Sequence, residues 1–410
     1  MFRIERSLGV CAVAIGAFAA CATTNRQTPS TAQTEARAAS VDAAAVPHPP
    51  WRPLHKGGAD LSTGVYIRED DDLVVNTPLP IVLRRTYNSL DAFSRQFGLD
   101  ATHPGEWWIY GKGDPAVPWG DLILATGLRI HFVRITPGDT RDGAILRHDS
   151  TAGEFNGALL SWTGSLWEMR FRDGSMASFL AGHDRQACTL IERRDPDGHR
   201  IAYVRDPSGT LLSMESEGQS IAFDYDDHKR IVRAYDTAHR EVSYAYDDRG
   251  RLLRATESDG IVRTYEYNER NSLVGVREPG RIVHNWFDDA GRWVRQEVRD
   301  SEHDDDPYVA TVRYVTEAGS IIESDLNEGD GLTVHRYNPH HYIVSETLDA
   351  DGPAPIAFTY NLDPASNASR SVTMSCLSSS GPMTRVVQVA SADDDAAKDT
   401  LIRESCLPRR

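Results

Sequence analysis

Lysine is almost absent from this chain, with four residues at Lys56, Lys112, Lys229 and Lys398. Arginine supplies nearly all of the basic side chains, and the formal net charge is -16. A chain so short of cationic excess lacks the phosphate-neutralising surface that non-specific binding to DNA or RNA needs, so no nucleic-acid partner is expected. Cysteine is scarce, five residues in all, and no Cys-x-x-Cys pair or Cys/His cluster has zinc-site spacing. No segment sustains a helical period, and no apolar run reaches the ~20 residues of a membrane-spanning helix. No Gly-x-Ser-x-Gly elbow or comparable motif gathers a nucleophile with its base. These absences point away from an enzyme: no catalytic residue, metal or cofactor is expected.

What is present begins with a leader. Arg3 and Arg6 precede a short apolar run, Leu8 to Ala20, that ends at Cys21. A run of that length behind basic residues reads as an export signal over residues 1–21. Residues 22–57 are rich in Ala, Thr, Gln, Ser and Pro, bury too little apolar surface to order, and read as a disordered tether. Export places the remainder in an oxidising compartment, where Cys188, Cys376 and Cys406 remain. Two readings stay open for them: a Cys376–Cys406 bridge, or three unpaired small hydrophobes.

Residues 58–180 read as a β-rich domain. Strand alternation is visible at residues 129–135 and 166–171, and Asp173-Gly174 follows the second run as a hairpin signal. Residues 181–362 repeat themselves. Aligned on the second of two aromatics, the anchors are Tyr225, Tyr246, Tyr267 and Phe287, spaced by about 20 residues, with stretched copies at Tyr314, Tyr337 and Tyr360. Aromatics at i and i+2, such as Tyr244 and Tyr246, share one strand face. The Asp or Asn after the anchor starts a turn, and Gly250 and Gly291 sit where a positive φ is needed. Each unit is thus two antiparallel strands, with aromatics expected to stack in a ladder from repeat to repeat. Residues 363–410 read as a variable tail.

Two sets of residues carry resemblances. Phe18-Ala19-Ala20-Cys21 resembles the lipobox of bacterial lipoproteins, which implies lipidation at Cys21 and a membrane partner reached through the lipid anchor. With Ala22 rather than Asp next, the resemblance implies a cell-envelope protein of the outer membrane. Tyr246-Asp247-Asp248-Arg249-Gly250-Arg251-Leu252 resembles the YD repeat of Rhs proteins and tripartite-toxin C components. Upstream, residues 61–64, 78–89 and 97–98 resemble the domain that opens many Rhs proteins. Over residues 58–362 the resemblance implies an all-β fold: an antiparallel YD-repeat β-sheet array, a partial Rhs-type shell, behind a β-rich N-terminal-like domain. In that family the shell encloses a toxic C-terminal domain released by self-cleavage. Here there are about eight units, no core cleavage motif and a short tail, so those roles are not carried over.

The remaining candidates have bland readings. Acidic runs at Glu69–Asp72, Asp304–Asp306 and Asp393–Asp395 read as solvated loops. His335, His340 and His341 read as surface histidines near a repeat turn, and Trp107, Trp108 and Trp119 as core or rim packing rather than a sugar platform. The function expected is a structural or surface-interaction lipoprotein. The alternatives are a glycan- or protein-binding module using repeat aromatics, and a degenerate toxin-delivery component.

Overall fold

The computed structural model describes residues 57–387 and 402–406, apart from 92, 112–115, 151–153, 182–186, 330 and 365–368. The leader, Cys21, nearly all of the tether and the Asp393–Asp395 run lie outside the described residues. All described residues belong to one compact unit, Val46–Arg410. Their regular structure is β-strand, apart from one helical turn at residues 402–405.

The first strands are β1 (Ala59–Asp60), β2 (Val65–Val75), β3 (Ile81–Asn88), β4 (Ser94–Arg95), β5 (Gly98–Leu99) and β6 (Ala101–Thr102). β1, β2, β3 and β6 form a four-stranded antiparallel sheet in that order, and β4 and β5 pair separately. Next come β7 (Trp108–Tyr110), β8 (Trp119–Ile123), β9 (Arg129–Arg134), β10 (Ile145–Arg147), β11 (Leu159–Trp162), β12 (Leu166–Arg170), β13 (Met176–Ala181) and β14 (Ala187–Arg194). Each pairs antiparallel with the next, and β14 returns to β7 through Cys188 opposite Ile109. This closes an eight-stranded barrel, a size whose interior side chains can fill. Ile130, Phe132, Leu146, Leu160, Met169, Phe179 and Leu190 fill it. The segment read as one domain, 58–180, is therefore divided between a small sheet and a barrel, and the barrel takes in β14 as well.

β14 is a fork. Its first half pairs with β7, while Glu192–Arg194 pair with β15 (Arg200–Arg205). From there the sheet runs on through β16 (Leu211–Ser216), β17 (Gln219–Tyr225), β18 (Ile231–Asp236), β19 (Glu241–Tyr246), β20 (Leu252–Glu257), β21 (Val262–Tyr267), β22 (Leu273–Glu278), β23 (Arg281–Phe287) and β24 (Trp293–Arg299). It continues through β25 (Tyr308–Glu317), β26 (Ser320–Glu328), β27 (Gly331–Tyr337), β28 (Ile343–Leu348), β29 (Ile356–Leu362), β30 (Ser369–Ser378) and β31 (Gly381–Val387). The repeat array is thus a long antiparallel strip growing from the barrel wall.

Asp247 shows how each repeat turns. Its Oδ1 accepts the N–H groups of Arg249 and Arg251, and its Oδ2 accepts Arg251 Nε at 2.7 Å. Gly250 closes the turn at φ 81° and Gly291 does so at φ 80°. A bulge precedes each anchor, between Asp224/Tyr225, Ala245/Tyr246, Glu266/Tyr267 and Trp286/Phe287. The register shifts there, and the anchor, still paired with the return strand, reaches back with its ring over the preceding turn. Tyr246 donates its hydroxyl to Ile231 O at 2.6 Å, beneath the Arg230 guanidinium, which lies 4.8 Å from the ring centroid. Arg251 covers Tyr267 and Arg292 covers Tyr314 likewise. The expected ladder of stacked aromatics is therefore a ladder of alternating arginine and tyrosine. The core position is the aromatic two residues earlier: Phe223, Tyr244 and Tyr265 are buried, whereas Tyr225, Tyr246, Tyr267 and Phe287 are half-buried.

The strip also outlasts the expected repeat boundary. β30 and β31 lie in what was read as the tail, and Ile356, Phe358, Tyr360, Val372 and Met374 form a second small core there. Cys376 and Cys406 are joined by a disulfide that holds the 402–405 turn against that core. Cys188 is buried in the barrel.

Candidate functional site: a seam across the repeat turns

The N-terminal segment lies along the row of repeat turns. Ile231 N donates to Gln96 O at 2.7 Å, Leu99 N to Gly250 O at 2.9 Å, Leu273 N to the Tyr87 hydroxyl at 3.0 Å, and Trp293 N to Gly64 O at 2.8 Å. His341 Nδ1 lies 3.0 Å from Ser62 O. Buried backbone groups must find partners, and here the N-terminal segment and the repeat turns supply them to each other, repeat after repeat. Two glycines permit the approach. A Cβ on Gly98 would lie 2.2 Å from Gly250 O, and one on Gly64 would lie 2.5 Å from Arg292 Cβ. Tyr66 and Tyr87 interleave with the anchors, 6.2 Å from Phe287 and 6.3 Å from Tyr267 between ring centroids.

The seam has a charged centre. The run Glu69–Asp72, expected as a solvated loop, is instead part of β2, with Asp70 and Asp72 buried. A bulge between Asp71 and Leu73 leaves Asp71 outside with exposed Arg84. Buried Arg85 donates to both oxygens of Asp72 at 3.0 and 3.1 Å and to the Tyr265 hydroxyl at 2.7 Å. Tyr244 and Arg263 also donate to Asp72, at 2.8 and 2.7 Å. Arg68 grips Asp70 through two nitrogens and reaches Glu278 at 3.0 Å. Burial works against the Asp70 carboxylate, but Arg85 and Arg68 together hold its pKa below the usual range. Arg68, Arg85 and Arg263 face Asp70, Asp72, Glu257 and Glu278, so each buried charge has opposite-charge partners, the condition under which a buried ionic network is tolerated. The spacing of Arg68, Asp70 and Asp72 at every second residue is a strand signal in the sequence. It was obscured because four consecutive acids also suit a loop.

A second polar cluster follows. His103 is buried; its Nε2 lies 2.7 Å from Gln96 Oε1 and its Nδ1 accepts Gly105 N at 3.1 Å. Nε2 therefore carries the proton, and burial pushes the ring's pKa down to about 3. Glu106 lies 3.9 Å away, and burial raises its pKa to about 7. Asp100 is pushed up to about 8 by burial and by Asp91. In this environment His103 is neutral and burial favours the protonated form of Glu106, so the two do not form an ion pair.

The other candidates do not converge. His340 is exposed and its N–H caps the Asn338 turn, His335 Nε2 lies 3.7 Å from Glu346, and His341 is buried, which corrects the surface reading for His341. Asp304 accepts the N–H groups of Asp300 and Asp306 within an exposed loop. Among the described residues, Asp195, Asp197 and His199 bring three metal-type ligands together in a turn where His199 replaces the arginine of the Asp–Arg clasp. Trp107 packs 6.1 Å from Phe155, while Trp108 and Trp119 lie on the other face of the barrel wall.

Such an arrangement defines an all-β repeat sheet docked against its own N-terminal sheet. Residues 225–261 and 246–283 match the family model described as RHS Repeat, and residues 59–132 match a domain of unknown function, DUF6531. Within those spans the chain is similar to RHS repeats and, upstream of them, to that domain. No curated protein matches it. Among solved structures it is similar to TcdB2-TccC3-TEV, at 11% identity and TM-score 0.36, covering 80% of this chain and 23% of that one. TcdB2-TccC3 without its hypervariable C-terminal region matches at 10% identity and TM-score 0.34, covering 79% and 22%. A porin-like protein from Bacteroides uniformis matches at 11% identity and TM-score 0.17, covering 56% and 92%. The chain spans less than a quarter of the length of the TcdB2-TccC3 structures it matches.

Proposed function

We propose that this chain is an exported, lipid-anchored scaffold of the cell envelope, at the outer membrane, with a structural or surface-interaction role and no enzymatic activity. The observation that carries the reading is the seam. The face of the repeats that would receive a cargo is covered by residues 57–106, and one hydrophobic core runs from Ala59 through Tyr244 and Tyr265 to Leu326. A sheet filled in this way favours a scaffold over a degenerate toxin-delivery component. The anchor tyrosines are engaged with arginines and turn carbonyls, which disfavours a glycan platform built from them. Export is supported by the Cys376–Cys406 disulfide, a bond that persists in oxidising compartments.

The test is fractionation of cells expressing the native chain and Cys21→Ser. The native chain should partition with membranes and carry acyl mass on Cys21, because two or more acyl chains give stable attachment. Cys21→Ser should be soluble or unprocessed. A processed variant that stays with the membrane would sink the lipoprotein reading.

A further inference from the structure

The outer face of the barrel at β7, β8 and β9 carries a set of side chains that the seam does not use. Antiparallel pairing sets Trp108 opposite Ile123, Tyr110 opposite Asp121, Trp119 opposite Val133 and Asp121 opposite His131. All of these point away from the core-facing Ile109, Leu122, Ile130 and Phe132. The wet side of an antiparallel sheet ordinarily carries polar residues. Here four rings run side by side instead. Trp108 and Tyr110 lie 6.2 Å apart between centroids, Tyr110 and Trp119 6.4 Å, and Trp119 and His131 5.8 Å.

At the centre of the rings is a carboxylate with no solvent exposure. Asp121 Oδ2 lies 2.6 Å from Arg129 Nη2, and its Oδ1 lies 2.7 Å from His131 Nδ1. The contact occupies His131 Nδ1 and leaves Nε2 for another partner, on a side chain that is 47% exposed. Trp108 Nε1 is enclosed and makes no hydrogen bond among the described residues. The patch thus combines ring surfaces with a spare imidazole nitrogen. Arg129 is engaged by Asp121.

We propose that this face of the barrel is a carbohydrate-binding site that takes a neutral chain of pyranose rings. A pyranose has an apolar C–H face for Trp108, Tyr110 and Trp119, and a rim of hydroxyls for His131 and Arg129. Aromatic side chains with a few placed polar groups are the usual means of fixing such a ligand. With Arg129 engaged by Asp121, the patch presents no unopposed guanidinium for phosphorylated or acidic sugars. The site uses none of the repeat aromatics and does not depend on the lipid anchor, so its test is separate from the fractionation above.

The full chain is titrated with cellohexaose and with chitohexaose, followed by tryptophan fluorescence and calorimetry. At least one should bind saturably; the pair distinguishes a plain from an N-acetylated chain. Trp119→Ala should weaken that binding about tenfold, and His131→Ala about threefold. Trp119→Phe, which keeps a ring and guards against a folding artefact, should retain most of it. Trp286→Ala, at an exposed tryptophan on the repeats, should bind like the native chain. The proposal is overturned if neither hexasaccharide binds, or if Trp119→Ala and Trp286→Ala behave alike. It is also overturned if Trp119→Ala changes only self-association in light scattering, which would make a second copy the occupant.

Discussion

Asp70 and Asp100 belong to the same N-terminal segment and both are buried, yet one carboxylate is held below its usual pKa and the other is pushed up to about 8. The difference lies in their neighbours. Asp70 meets Arg68 and Arg85, whereas the charge that acts on Asp100 is a second acid, Asp91. Burial alone favours the neutral acid, and two guanidiniums reverse it. One segment thus docks onto the repeats by two means: an ionic centre at Arg68, Asp70, Asp72, Arg85 and Arg263, and a neutral polar cluster around Asp100, His103 and Glu106.

Removing one charge from each region separates them most strongly. Arg85→Ala leaves Asp72 buried and under-compensated, and should cost about 3–5 kcal/mol in denaturant unfolding. Glu106→Gln replaces a buried acid, whose pKa is raised to about 7, with an amide of similar shape and should shift stability by less than about 1 kcal/mol. Equal losses would erase the distinction. Tyrosines should follow the same division. Tyr244→Ala removes a buried ring that also donates to Asp72, and is expected to cost about 3–5 kcal/mol. Tyr246→Ala removes a half-buried ring and should cost about 1–2 kcal/mol. A larger loss at Tyr246, measured by thermal melting, would contradict the core assigned to the first aromatic.

The smallest effect is the dependence on pH. Asp100 and Glu106 have folded pKa values raised to about 8 and about 7, so the stability they contribute is present at low pH and lost as pH rises through those values. His103, lowered to about 3, contributes stability that is present above its ordinary value and lost as pH falls. Between about pH 4.5 and pH 6.5 the Glu106 and His103 contributions oppose each other, and above about pH 6.5 only the alkaline loss remains. Melting temperature should therefore fall from about pH 6.5 to about pH 8.5, and Glu106→Gln should flatten the fall. Asp70 acts in the other direction: its contribution is lost on acidification. A melting curve that rises through the alkaline window would refute the neutral state of the second cluster.

Much of this fold is legible in the residues themselves. The anchors at Tyr225, Tyr246 and Tyr267, the turn-starting Asp247 and the positive-φ Gly250 are local signals, and local signals survive folding. What escapes is long-range. Nothing near Tyr110 indicates that its strand pairs with Ala187, because closure depends on the whole course of the barrel. Asp72 reads as one more acid in a run until Arg85 arrives from the paired strand β3 and Arg263 from the distant β21. The anchor rings look like core because aromatic residues usually are, and only the bulge beside each one shows why they lie at the margin. The three rings at Trp108, Tyr110 and Trp119 are visible as residues, but their shared face depends on β7 and β8 being neighbours.

The fork at β14 gives the molecule an unequal response to force. In the strip each hairpin is held along its length by the one behind it, so tension from the C-terminal side would peel strands singly, like a zipper. The Cys376–Cys406 staple moves the start of that peeling inward by locking the last hairpin to the chain end. The barrel offers no such starting point, since its first strand is bonded to its last and several ladders would have to shear together. Pulled apart, the chain would yield in many small steps and then resist at β14.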